Sequence, residues 1–294
     1  MDLVKCINCD FVGTIKTGED ICPNCNKVGF LTWLDGGNQE LDDLYNKILN
    51  CDCIDGFKLI NDESVDLIVS DPPYGVGYMN NYTLDKHKKI ANDDINSYKW
   101  FLSECYRVLK PNSHIYLFTR FDMYPQHYND LIEAGFKVKN VLVVEKGHIG
   151  GVGDLKGSYR NNSEWIIFAH KGRKEFEKTK LMKNAKPTGK KVARGGNPVP
   201  EYKTRFDSCW FGEQYPKSTY NASWQKKNGI KHPTIKNVEL LEWLIQISSK
   251  ENEVVLDMFM GSGSTAFACK NTNRNYIGFE IDKDYYEVAL KRVS

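Results

Sequence analysis

From about residue 44 onward, short apolar runs alternate with helical periods. "YNKILNCD" and "VDLIVS" are apolar runs that end in acids or turn residues, with the helix-like "CIDGFKLI" between them. "SYKWFLSECYRVLK" carries Trp100, Phe101, Cys105, Val108 and Leu109 at helical spacing, and "PNSHIYLFT" then gives a stop followed by a strand. "DMYPQHYNDLIEAGF" predicts a helix that ends at a glycine, and "KVKNVLVVEK" a strand. The rhythm fails between about Gly147 and Lys231, a stretch rich in Gly, Lys, Asn, Pro and Tyr that contains one clear strand, "SEWIIFAH". It resumes with "NVELLEWLIQISS" (helix), "EVVLDMF" (strand), "STAFACKNT" (helix), "NYIGFEI" (strand) and "KDYYEVALKR" (helix). Such alternation predicts an α/β protein, a mostly parallel sheet with helices on both faces, interrupted by a long insertion.

The first 34 residues follow another pattern. Cys6-x-x-Cys9 and Cys22-x-x-Cys25 are separated by 12 residues. Two CxxC turns on a short hairpin can point four thiolates at one tetrahedral centre, which suits structural zinc. A redox pair or a rubredoxin-like iron site is the competing reading. The ribbon has too little apolar content to fold without metal. Residues 35–43, opening on "DGGNQE", read as a linker. Cys51, Cys53, Cys105, Cys209 and Cys269 lack such partners and default to ordinary buried thiols.

Composition narrows the class. The chain has 294 residues, 41% hydrophobic and 27% charged, as in ordinary soluble proteins. No window approaches the roughly 18 apolar residues of a membrane helix. "MDLVKCINCD" lacks the basic start and apolar core of a secretory signal, so a cytoplasmic, non-membrane protein is expected. A net charge of +2 announces no nucleic-acid partner, but its distribution is uneven. From Lys171 to Arg194 ten Lys or Arg face two acids, a local +8. By default this is a solvated loop; it becomes a phosphate-binding surface if something else implies DNA.

Two motifs carry chemistry. "LDMFMGSGSTAFAC" places a strand, a turn of Gly261-Ser262-Gly263, and a helix beginning near Ser264. Glycines let the backbone approach a ligand, and the helix start offers unpaired N–H groups. Glu280, 19 positions beyond Gly261 at the end of the next strand, can accept from both hydroxyls of a ribose. Alone, "GSGSTA" fits a nicotinamide or flavin enzyme equally well, or a plain glycine turn; a nucleoside triphosphate is disfavoured because no GK[ST] follows. "IVSDPPYGVG" puts an acid, two prolines and an aromatic at a strand end, stiffer than a turn requires.

Together these motifs resemble the S-adenosylmethionine-dependent amino-methyltransferases of DNA, through "SVDLIVSDPPYG", "HPTIKNVELLEWLI", "VVLDMFMGSGSTAFAC" and "YIGFEIDKDYYEVALKR". DPPY precedes the glycine loop, an order similar to the beta class, in which the intervening segment recognises the target. The resemblance runs from about Leu44 to the C-terminus and excludes the ribbon. It implies a Rossmann-like methyltransferase fold over 44–294, with 147–231 as the target-recognition region.

What the resemblance implies residue by residue is specific. Asp71 and the Pro72 carbonyl would grip the amine, Pro72 and Pro73 would stiffen that grip, and Tyr74 would stack on a flipped base. Phe259, Gly261, Ser262, Gly263, Ser264 and Thr265 would meet the methionine end of the cofactor and Glu280 its ribose. Asp257 would orient the loop or meet the cofactor's amine, and Asp52 would contact its adenine ring, although a strand-end Asp is also a common helix cap. His232, Pro233, Thr234 and Lys236 would close over the methionine. Ile235, Asn237, Met258 and Ser264 depart from the usual text without removing an essential group. With DNA implied, Lys171, Arg173, Lys174, Lys190, Lys191 and Arg194 become phosphate contacts; Arg160, with Glu164, is a DNA contact or an ion pair. Double-stranded DNA is the expected partner, and the family also allows a homodimer and a cognate restriction endonuclease.

DPPY rather than SPPY favours adenine N6 over cytosine N4. Less favoured are a non-catalytic zinc-ribbon DNA-binding module on a degenerate scaffold, a nicotinamide oxidoreductase, which leaves DPPY unexplained, and a protein or RNA methyltransferase, which more often carries asparagine in place of Asp71.

Overall fold

Seven strands form one sheet, and the order in which the chain fills it creates the site. In the computed structural model the described residues are 2–6, 12–15, 23, 31–33, 44–74, 98–145, 157, 163–174, 176–177 and 236–294. The strands are β4 (Lys47–Leu49), β5 (Val65–Ser70), β6 (Leu109–Thr119), β7 (Lys137–Glu145), β8 (Ser163–Lys171), β9 (Val254–Asp257) and β10 (Asn275–Phe279). Their spatial order is β4-β10-β9-β5-β6-β8-β7. From β4 to β6 every pairing is parallel, and β8 runs antiparallel to both β6 and β7. The antiparallel strand thus comes from inside the stretch where the sequence rhythm fails.

Strand β5 shows why the sheet is covered on both sides. All six of its residues are buried, and Leu67, Ile68 and Val69 alternate between two cores, with Val65 beyond a register shift. Val65 and Ile68 face a cluster with Phe57, Phe101, Leu102 and Cys105 from α1 (Cys53–Phe57) and α2 (Lys99–Val108). Leu67 and Val69 face a second cluster with Leu240, Leu241, Leu244, Ala266 and Cys269 from α4 (Val238–Ser248) and α5 (Ser264–Asn271). Helices α3 (Tyr124–Glu133) and α6 (Lys283–Val293) complete the layers. The helical spacing in "SYKWFLSECYRVLK" buries Phe101, Leu102, Cys105 and Val108 as expected. Cys51, Cys53, Cys105 and Cys269 are buried free thiols.

Three more strands, β1 (Asp2–Cys6), β2 (Val12–Ile15) and β3 (Leu31–Trp33), pair antiparallel in the order β2-β1-β3. Cys6 ends β1 opposite Leu31, the first residue of β3. Cys9, Cys22 and Cys25 lie outside the described residues, and among the described residues no His/Cys/Asp/Glu group is arranged to hold a metal. Nor is any described helix long and apolar enough to cross a membrane.

Candidate active site at the carboxyl ends of the strands

Between β5 and β9 the strand order reverses: later connections run outward to β6 on one side and to β10 on the other. Ligands of open α/β sheets bind at the carboxyl side of such a switch point. Asp71 immediately follows β5, Asp257 ends β9 and Glu280 immediately follows β10. Ser70 Oγ donates to Asp257 Oδ1 at 2.6 Å, which ties the ends of β5 and β9 together.

The Asp71 carboxylate is held on both oxygens. Tyr74 Oη donates to Oδ1 at 2.5 Å, and the Lys236 ammonium pairs with Oδ2 at 2.8 Å. Lys236 also reaches Glu164 Oε1 at 3.2 Å and lies 4.6 Å from the centre of the Phe118 ring. Burial raises the Asp71 pKa above its ordinary value, the Lys236 charge opposes that rise, and Glu164 adds to it. Burial, and then the Asp71 charge, push the Tyr74 phenol well up. Lys236, expected over the cofactor's methionine, is therefore placed on the DPPY acid. Pro72 is buried and Pro73 half-buried in the same corner.

The glycine loop is built from the adjoining strand ends. Gly261 and Gly263 have φ of 54° and 78°, in the left-handed region. A Cβ on Gly263 would also lie 3.0 Å from the Ala289 backbone, so the N-cap of α5 requires glycine twice over. Met260 N–H donates to the Phe279 carbonyl at 2.8 Å. Glu280 closes the loop: Gly261 N–H donates to Oε2 and Asp282 N–H to Oε1, both at 2.7 Å. Burial nevertheless raises the Glu280 pKa to about 7, partly offset by those two N–H groups. Asp257 accepts from Ser70, Thr265 and the Phe259 N–H, and burial lifts it to about 6. Phe259 packs edge-on against Phe101, with ring centres 5.3 Å apart.

Asp52 has the capping job that strand-end acids often take: its Oδ1 accepts from Ile54 N–H at 2.8 Å at the start of α1. It sits beside the Glu280 end of the loop, because Asn50 Nδ2 donates to the Glu280 carbonyl at 2.8 Å. Asn237 is likewise a cap, accepting from Leu240 N–H at 3.1 Å, which explains why this departure is tolerated. Met258 is core, and Ser264 Oγ accepts from Arg292 Nη1 at 2.8 Å. Sequence reasoning did not find Arg292; its Nη1 also reaches the Ser262 carbonyl at 3.3 Å from α6, 30 residues away.

The basic block is only partly a surface. Lys171 Nζ is buried, donating to the carbonyls of Tyr106 and Leu109 at 2.8 Å each and pairing with Glu63 at 3.2 Å. Its ammonium is consumed inside the fold, which corrects its assignment as a phosphate contact. Lys174 pairs with Glu253 at 3.7 Å, and the exposed Arg173 is anchored through its N–H on Asn112 Oδ1 at 3.0 Å. Lys171 is the last residue of antiparallel β8, facing Ser113 near the start of β6, and Arg173 and Lys174 lie just past it. That places them at the sheet end opposite Asp71, roughly 20 Å away along β6. Arg160, Lys190, Lys191, Arg194, His232, Pro233 and Thr234 lie outside the described residues.

Residues 65–291 match the model of the DNA methylase family, N6_N4_Mtase. The chain belongs to this family. These enzymes are S-adenosylmethionine-dependent amino-methyltransferases of DNA. The methylase is 28% identical to the Type II methyltransferase M.HpaI of Haemophilus parainfluenzae over 256 residues, covering 84% of this chain and 74% of that one. Among solved structures it is similar to the M1.HpyAVI–SAM complex, with a TM-score of 0.54, 26% identity, and 84% and 98% of the two chains covered. It also shares its fold with the cytosine-N4-specific PvuII DNA methyltransferase: TM-score 0.57, 18% identity, 84% and 86% covered.

Proposed function

We propose that this methylase transfers a methyl group from S-adenosylmethionine to the exocyclic amino group of an adenine flipped out of double-stranded DNA. The observation that carries this reading is the Asp71 carboxylate, half-buried at the switch point beside the glycine loop and held by Tyr74 and Lys236. The donor set fits the cofactor. Glu280 and Asp257 offer acceptors to hydroxyl and ammonium groups, and the left-handed glycines allow a close backbone approach. When bound, S-adenosylmethionine supplies an electrophilic methyl group.

The chain's own residues supply the rest. An aromatic amine is a weak nucleophile because its lone pair is delocalised into the ring. Asp71 and the Pro72 carbonyl, accepting its two N–H groups, draw the nitrogen out of that conjugation, and the prolines keep both acceptors aimed. The Tyr74 ring offers a stacking face that offsets part of the unstacking, a few kcal/mol against roughly 1–3 kcal/mol per stacked base. Phe259, Ser262, Ser264, Thr265 and the backbone of the loop bound the donor side, with Asp52 at its far end.

The aspartate of DPPY supports adenine; cytosine is the second reading, since the PvuII enzyme has the same fold. DNA incubated with the protein and methyl-labelled cofactor, then digested to nucleosides, is expected to yield labelled N6-methyl-2′-deoxyadenosine; label in N4-methyl-2′-deoxycytidine alone overturns the adenine assignment. We also infer that Cys6, Cys9, Cys22 and Cys25 hold a structural zinc, because Cys6 ends a strand of a three-stranded antiparallel sheet whose two connections carry the other three cysteines. The purified protein is expected to contain about one zinc per chain and Cys22→Ser to lose it; equal metal content in both sinks this assignment.

A further inference from the structure

The glycine loop is held from two sides. From β10, the Glu280 carboxylate accepts from Gly261 N–H, and the Phe279 carbonyl accepts from Met260 N–H. From α6, Arg292 Nη1 donates to the Ser262 carbonyl and to Ser262 Oγ, both at 3.3 Å, and to Ser264 Oγ at 2.8 Å. The Ser262–Gly263 peptide needs that second hold. Glycine accepts either sign of φ, so this peptide can turn over by rotation about Ser262 ψ and Gly263 φ. Here it is fixed at both ends: Gly263 N–H donates to the Met260 carbonyl at 3.0 Å, and the Ser262 carbonyl oxygen is on Arg292. Turned over, the peptide would leave both partners, and the start of α5 would lose the shape in which its N–H groups converge on an anion.

We propose that Arg292 is a positioning residue for the cofactor: it sets the Ser262–Gly263 peptide and the hydroxyls of Ser262 and Ser264 to receive the carboxylate of S-adenosylmethionine. This rests on the reading of the glycine loop as the seat of the cofactor's methionine end. A guanidinium only donates hydrogen bonds, so both hydroxyls accept from it and keep their own O–H for another acceptor. A carboxylate is such an acceptor, and it suits the N–H groups at the start of a helix. Anchoring α6 is a separate task that other contacts perform. Tyr286 and Ala289 are buried in the second core, Ala289 lies close against Gly263, and Lys270 Nζ donates to the Val293 carbonyl at 2.7 Å. The Arg292 bonds end instead on the loop residues assigned to the cofactor.

The test titrates the full chain by calorimetry with S-adenosylhomocysteine, the thioether left after methyl transfer, and with its decarboxylated form, which differs only in the missing carboxylate. The native protein is expected to bind the first roughly tenfold or more tightly than the second. Arg292→Met is expected to cut that preference to about twofold or less, while Kd for the decarboxylated form stays within about twofold. Arg292→Lys, whose ammonium can donate to the same three oxygens, keeps most of the preference. In both variants kcat at saturating S-adenosylmethionine stays within about threefold, since neither change touches Asp71. A preference unchanged by Arg292→Met, or an equal weakening of both ligands, overturns the proposal; equal weakening is what a merely structural role gives. Should Arg292→Met fail to fold, Arg292→Gln, whose amide stops short of the Nη1 position but keeps a polar end, decides through the same ratio. A native protein that binds both forms equally defeats the loop reading and the proposal with it. A native preference that survives Arg292→Met defeats the proposal alone.

Discussion

Asp71→Ala is expected to lower kcat by about 10³-fold or more while cofactor Kd stays within roughly twofold. Two facts of the structure separate the effects. The glycine loop is held by Glu280 and the Phe279 carbonyl, neither of which touches Asp71. Lys236 keeps Glu164 at 3.2 Å, so truncating Asp71 does not leave a buried ammonium unpaired. The usual penalty for breaking a buried pair, about 3–5 kcal/mol, is therefore not fully incurred. Asp71→Asn separates charge from shape. It keeps one acceptor oxygen, yet faces Lys236 with no negative charge, and is expected to be nearly as inactive. Single-turnover methylation with calorimetric cofactor titration checks both. A variant within tenfold of the native rate rejects the clamp.

The fold was legible where burial imposes a period. Leu67, Ile68 and Val69 of β5 alternate between two apolar cores, so a one-residue slip there would turn them to the wrong layer, and α2 repeats its buried residues at helical spacing. Strand direction was not legible. "SEWIIFAH" reads the same parallel or antiparallel, and its place between β6 and β7 is settled only by which edge remains free. That direction decided the fate of Lys171. In the sequence it opens a basic run; in the fold it is the last residue of β8, pinned beside Ser113 with its ammonium turned onto the α2 carboxyl end. Charge density reports composition, whereas register decides which charges reach solvent.

The site was legible as motifs but not as pairings. Asp71, Gly261, Gly263 and Glu280 stand where the strand ends converge, because a strand-end acid or glycine can only project toward the carboxyl edge. Lys236 was seen as a member of its own local motif, and its partner Glu164 lies 72 residues away in the chain. No local period encodes that contact; it follows from β8 running antiparallel, which delivers its first residues to the end of the sheet that carries Asp71. Arg292 was missed for the same reason, since only the packing of α6 on α5 brings it to Ser262 and Ser264.

Glu280→Ala is expected to weaken cofactor binding by about 10³-fold, since two hydrogen bonds to a carboxylate are worth roughly 3–6 kcal/mol together. The loss has a second source in the same side chain, because the Gly261 N–H donates to Glu280 and the loop would lose that anchor. The pH dependence of the native protein tests the assignment more sharply. Burial raises Glu280 from 4.5 to about 7 and Asp257 from 3.8 to about 6. Between the unfolded and folded values the folded protein holds protons that the unfolded chain has released. The contribution of these acids to stability is therefore fully present below about pH 4, and it is lost as pH rises through 6 and then 7. For Glu280 alone the difference is on the order of 3 kcal/mol. Cofactor binding runs the other way, because only the ionised carboxylate accepts from both ribose hydroxyls. Without cofactor, the thermal midpoint should show this acid-side gain, and Glu280→Gln should flatten it; with saturating cofactor, the stabilisation by ligand should grow from pH 6 to pH 8 in the native protein. Cofactor affinity that is flat across that interval places the ribose elsewhere and leaves Glu280 only its bond to the glycine loop.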